Sequence, residues 1–248
     1  LETIYLILLC MPLISIVIGR YQVFKKMKKV DLKIHGNLPR ISILSSLRKK
    51  ENLVPLLSIL ATTLMINGDV IIVKMFFEPE LAGIYSLFSL FAKIILYATA
   101  PITAVAYTFF TGSESNKKSG SVLMLATGAF LFFGIGMLII YAFFPELLIR
   151  VVSTEEYLKL STNLFYAAIF GTVYSISMLF SQYLVSKNSW WVILGAIASI
   201  IQMALIFFNH YDYLEVMQVN VAVVSTLVII YGIILMTRYL KKKYAYHH

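Results

Sequence analysis

Long apolar runs broken by short polar ones set the plan of this chain. Seven stretches, residues 3–19, 53–77, 81–110, 122–144, 158–186, 190–208 and 216–239, are almost wholly apolar. Each reaches or exceeds the roughly 17–25 residues that an α-helix needs to cross a bilayer. None alternates apolar and polar positions as a half-buried strand does. The pattern predicts an all-α integral membrane protein with seven transmembrane helices. Pro101 falls inside the third stretch, where it predicts a kink that neighbouring helices must satisfy. Trp190, Trp191, Tyr211 and Tyr213 fall at stretch ends, the positions of interfacial anchors.

Composition agrees with the pattern. The 248 residues are 60% hydrophobic and 13% charged, against about 45–50% and about 25% in soluble domains. A net charge of +9 would suggest nucleic acid in a soluble chain. In a membrane chain it speaks to orientation instead, and no nucleic-acid partner is expected. Ten of the 21 Lys and Arg residues fall in residues 20–52. Lys117, Lys118, Lys187, Arg238, Lys241, Lys242 and Lys243 join them on the same side. Opposite them lie Glu2, Glu78, Glu80, Glu146, Glu155, Glu156, Asp212 and Glu215. Basic residues stay in the cytoplasm, so the N-terminus is predicted outside and the C-terminus inside.

The polar segment divides the chain. Residues 1–19 form one helix, with neither the basic start nor the small-residue cleavage site of a signal peptide. Residues 20–52 are a basic linker on the cytoplasmic side. Its second half spaces Leu38, Ile41, Leu44 and Leu47 as an amphipathic interfacial helix does. Residues 53–240 hold six helices, and 241–248 are a short tail.

Two charges stand deep inside the spans, away from their ends, and each costs roughly 2.5–3.5 kcal/mol to insert at mid-membrane. These are Asp69 and Lys93. The short Glu78-Pro79-Glu80 connection makes their helices antiparallel neighbours. Asp69 lies about 12 Å, and Lys93 about 18 Å, below the outer ends of those stretches. A lysine stem covers that difference, so an Asp69–Lys93 pair is the expected arrangement. It serves either as a clamp between helices or as part of a transport path. Asn67 stands about 200° from Asp69 around the helix and takes another face. Lys74 can snorkel outward. Asn163, Gln182, Gln202 and Asn220 are expected to bridge helices, and Gly68 and Gly83 to permit close approach. Cys10 and the four His residues offer no metal-ligand spacing. No triad of nucleophile and base is present, so neither enzymatic catalysis nor a cofactor is expected.

The run Asn67-Gly68-Asp69, then Lys74, then Phe77-Glu78-Pro79-Glu80-Leu81-Ala82-Gly83-Ile84-Tyr85, resembles a pattern of polysaccharide flippases. These belong to the multidrug/oligosaccharidyl-lipid/polysaccharide exporter superfamily. Phe144-Pro145-Glu146-Leu147-Leu148-Ile149-Arg150, followed by Glu155-Glu156-Tyr157, resembles a second segment of that family. The resemblance implies a MATE-like fold of two six-helix lobes around a cavity. The chain then corresponds to the last helix of the first lobe, the linker and the second lobe, with the rest of the first lobe as a missing partner. It also implies an anionic polyprenyl-diphosphate-linked oligosaccharide as cargo, a location in the cell's inner or plasma membrane, and coupling to H+ or Na+. Lys93 would meet the diphosphate, with Lys74 secondary, while Asp69 would hold Lys93 or take the driving ion. A multidrug cation antiporter of the same superfamily and a purely structural membrane subunit are the alternatives.

Overall fold

The computed structural model describes residues 50–112, 115–208 and 212–245. The expected helix at 3–19 and almost all of the 20–52 linker lie outside the described residues. Seven α-helices follow: α1 Lys50–Phe76, α2 Pro79–Thr111, α3 Ser115–Phe143, α4 Pro145–Val152, α5 Phe165–Ser186, α6 Ile193–Phe208 and α7 Tyr213–Ala245. Two 3-10 segments, Glu155–Asn163 and Trp190–Val192, precede α5 and α6. No strand occurs among the described residues. All the α-helices except α4 are long and apolar enough to cross a membrane, six in total.

Local chemistry sets the boundaries. Pro79 opens α2 at its first turn, where its missing N–H costs nothing and its fixed φ suits a helix. Pro145 opens α4 in the same way. The fifth expected stretch, 158–186, is not one helix. Residues up to Asn163 wind as a 3-10 segment, and α5 starts at Phe165. The segment EEYLKLSTN is too polar to be drawn into an apolar span, which explains the later start. At the chain's far end α7 continues through the expected boundary at 240 to Ala245. At the near end α1 begins at Lys50, inside the expected linker.

Helix α5 is the centre of the packing. It lies against α1, α2, α3 and α7, and it is built for that place from small residues. Ala167, Ala168, Gly171, Ser175, Ser177 and Ser181 are all buried. A Cβ on Gly171 would sit 2.5 Å from the carbonyl oxygen of Ala92 in α2. One on Gly134 of α3 would sit 2.2 Å from Thr172 of α5. Lipid is as apolar as leucine, so helices in a membrane gain by close van der Waals approach, and small residues allow it. Helix α3 does the opposite, presenting Met124, Leu125, Phe132 and Phe143 outward at 74–84% exposure. Such an apolar outer face on a helix of membrane length suits contact with lipid.

Hydroxyls stitch α5 to its neighbours. Ser181 bonds Ser58 of α1 at 2.9 Å, Ser175 bonds Thr99 of α2 at 3.0 Å, and Tyr174 donates to the Thr62 carbonyl at 2.7 Å. In apolar surroundings each such bond contributes about 0.6 kcal/mol.

Candidate functional site

Asp69 and Lys93 face different ways. Asp69 is fully buried on the inner side of α1, whereas its near neighbour Asn67 is exposed. The 200° separation forces this division: one side chain enters the bundle and the other leaves it.

The buried half is a four-helix hydrogen-bond network. Tyr85 of α2 donates its hydroxyl to Asp69 Oδ2. Asn220 of α7 donates from Nδ2 to the same oxygen at 3.0 Å and also to the Tyr85 hydroxyl. Val70 donates its backbone N–H to Asp69 Oδ1 at 2.7 Å. Gln202 of α6 donates from Nε2 to Asn220 Oδ1 and to the Met65 carbonyl, at 3.1 Å for the latter. All four side chains are buried. The network ties α1, α2, α6 and α7 together around one carboxylate, as buried polar groups at membrane depth must be tied.

The other half holds the cation, and there Asn67 is exposed and Lys93 half-buried. Lys93 of α2 donates from Nζ to Asn67 Oδ1 at 3.1 Å. Asn67 in turn donates from Nδ2 to the Thr63 carbonyl at 3.1 Å, which fixes the orientation of its amide. The expected Asp69–Lys93 pair is therefore not formed. Depth allows it, but depth says nothing about azimuth, and the two residues project to different sides of α1. Along α1, Thr63, Asn67 and Lys74 are exposed at four- and seven-residue spacing. Along α2, Lys93 is followed one turn later by Tyr97, which is 67% exposed. Together they make a polar stripe over two neighbouring helices. Lys93 is about 21 Å from the Pro79 end of α2 and about 27 Å from the Thr111 end. An ammonium at that depth is not turned toward lipid without several kcal/mol of cost. Such a stripe is better placed against water or protein than against lipid.

Both sequence patterns find their physical reason at the opposite end of α2. Tyr85 caps Asp69, so the spacing from Asn-Gly-Asp to Ala-Gly-Ile-Tyr is the spacing of a hydrogen bond across an antiparallel pair. Gly83 makes room for Tyr157, whose Cε1 and hydroxyl lie 3.0 Å from where a Cβ would be. The two patterns thus touch. Lys159 donates to Glu80 at 2.7 Å beside that contact, and Arg150 pairs with Glu155. The hydrogen bond and then the charge of Glu80 hold the exposed Lys159 ammonium above its ordinary pKa. Gly68 similarly accommodates Met203 of α6. Tyr85 and Asn220 as partners of Asp69 are what spacing alone missed. The available signal was their polarity inside otherwise apolar helices.

Six spanning-length helices packed on a small-residue centre, with a buried polar network and an exposed cationic stripe, define a multi-pass helical membrane protein. Compared with protein-family models, with curated proteins and with solved structures, the chain matches none.

Proposed function

We propose that this chain is the cargo-facing lobe of a membrane transporter. Its cargo is a polyprenyl-diphosphate-linked oligosaccharide, passed from the inner to the outer leaflet of the cell membrane for surface polysaccharide assembly. In this reading the chain crosses the membrane with its N-terminus outside and its C-terminus inside. A preceding lobe of the same protein faces the stripe across a wet cavity. The observation that carries the reading is the Lys93–Asn67 contact. A half-buried cation at membrane depth is bonded to the neutral amide of an exposed Asn67 rather than ion-paired, and in this reading it serves a ligand. A diphosphate is the complementary chemistry, because charge-assisted hydrogen bonds to its oxygens replace water. Lys74, exposed on the same side of α1, is the secondary contact.

A cation exporter of the same superfamily needs a carboxylate on the cavity wall. Asp69 is instead withdrawn into the bundle and shared by Tyr85 and Asn220. That favours a structural role for Asp69 itself, as the knot of four helices. Coupling to H+ or Na+ through Asp69 requires it to exchange those two partners for the ion.

The test is translocation by the intact protein in proteoliposomes, wild type against Lys93→Ala. A fluorescent polyprenyl-diphosphate oligosaccharide and an organic cation are offered in parallel. Loss of lipid-linked sugar transfer in the variant supports the reading. Cation export that survives the substitution overturns it.

A further inference from the structure

At the end of the bundle where α1 begins and α7 finishes, cations from the two ends of the described chain meet a pair of tryptophans. Lys50 holds its Nζ 5.9 Å from the centroid of the Trp190 ring. Arg238 donates from Nη2 to Ser189 Oγ at 2.9 Å, and Ser189 is the residue before Trp190. Lys50 and Arg238 are both exposed, and Trp190 and Trp191 are 46% and 47% exposed. Lys187 adds a third charge nearby, with its Nζ donating to the Phe110 carbonyl at 3.2 Å.

The turn that carries the tryptophans is fixed. Asn188 adopts φ 47°, and Ser189 N–H closes the end of α5 by donating to the Leu184 carbonyl at 3.0 Å. Glu51 is the one acidic residue among the described residues at this end of the bundle, and it lies about 100° around α1 from Lys50. Below the tryptophans, Ile193, Ile197 and Ile200 run down α6 at helical spacing, 42–63% exposed. The corner therefore has a charged, indole-lined top and an apolar track beneath it.

We propose that this corner binds an anionic glycerophospholipid, with its phosphate between Lys50, Arg238 and the indole N–H groups and its acyl chains along the isoleucine track. Tryptophan sits at headgroup level, where the indole N–H stays polar and the ring apolar. Lys50 over the Trp190 face is oriented by the ring quadrupole. Cations outnumber carboxylates here, so the corner neutralises an anionic headgroup and has little to hold the amine of a zwitterionic one. Attraction of this kind enriches anionic lipid about fivefold per basic residue near the surface.

Trp190 and Trp191 are the two tryptophans of the chain, so their emission reads the corner directly. The experiment places the protein in phosphatidylcholine nanodiscs doped with equal small fractions of brominated phosphatidylglycerol or brominated phosphatidylcholine. A Trp190→Phe/Trp191→Phe variant supplies the blank. The expected result is several-fold stronger quenching by the anionic lipid. That excess disappears in Lys50→Gln/Arg238→Gln and is retained in Lys50→Arg/Arg238→Lys. Equal quenching of the wild type by both lipids overturns the proposal and leaves the tryptophans as plain interfacial anchors, whether or not the Gln variant folds. Saturable change of the indole emission by inorganic phosphate at constant ionic strength, with no excess quenching by the anionic lipid, also overturns it, by assigning the corner to a soluble anion.

Discussion

Lys93 of α2 donates to Asn67 of α1 at 3.1 Å, while Asp69, two residues from Asn67, is bonded to Tyr85 and Asn220 on the other side of the same helix. Opposite charges at similar depth thus take different hydrogen-bond partners, set by helical azimuth. One stabilises the bundle, and the other is presented at its surface.

Separation of the two roles predicts separable phenotypes. Lys93→Ala is expected to lower transport of an anionic lipid-linked cargo by about 10–100-fold, the worth of one charge-assisted hydrogen bond. Asn67→Ala, which only orients Lys93, should cost about threefold, in line with a membrane hydrogen bond. Neither should move the thermal midpoint in detergent much. A large drop in that midpoint for Lys93→Ala would make the residue a structural one.

The Asp69 network predicts the reverse. Asp69→Leu leaves Asn220 and Tyr85 as buried polar groups with a lost partner, at about 1–3 kcal/mol for each unsatisfied group. Tyr85→Phe and Asn220→Ala combined in a double-mutant cycle should show coupling of about 0.5–3 kcal/mol. Unfolding in detergent measures both. Additive effects would break up the network into independent contacts.

Glycines on α3 and α5 should respond according to what faces them. Gly171→Ala meets the Ala92 backbone carbonyl, which cannot turn aside, so a loss of about 1–3 kcal/mol is expected. Gly128→Ala and Gly136→Ala meet nothing within 4 Å and should be neutral or gain about 1 kcal/mol from helix propensity. Ranked melting midpoints decide the matter. Equal loss at all three would mean that α5 does not approach α2 as described.

The Lys159–Glu80 pair fastens the Glu155–Asn163 segment to the start of α2. The partner raises the lysine pKa, so the pair's contribution is lost as pH rises through that raised value, and it is lost in acid too once Glu80 is protonated. Both groups are exposed, so the contribution is small and screened by salt. Limited proteolysis of this segment should quicken with Glu80→Lys or Lys159→Glu and slow again in the double swap. No recovery in the swap would show that Tyr157 on Gly83 does the fastening alone.

Orientation is tested with a cysteine at each end of the bundle, in a Cys10→Ser background. Glu156→Cys should react with an impermeant maleimide added to intact cells, and Glu51→Cys only after permeabilisation. The opposite pattern would invert the topology.

The sequence by itself determined that the chain is a bundle of membrane-length helices. It also determined roughly where they start and stop and which two charges lie at depth. Those properties are one-dimensional, following from apolar run length, proline at helix starts and the cost of charge in hydrocarbon. Run length places the end of the polar segment before α5 in the same span, because it blurs where a turn of 3-10 geometry takes over. Only the tertiary structure decided the partners of Asp69 and Lys93, because a partner depends on helix rotation and on which helices are neighbours. Asp69 meets Asn220, 151 residues away, through the docking of α7. No local pattern encodes that contact: it follows from small residues on α5 letting the surrounding helices close in.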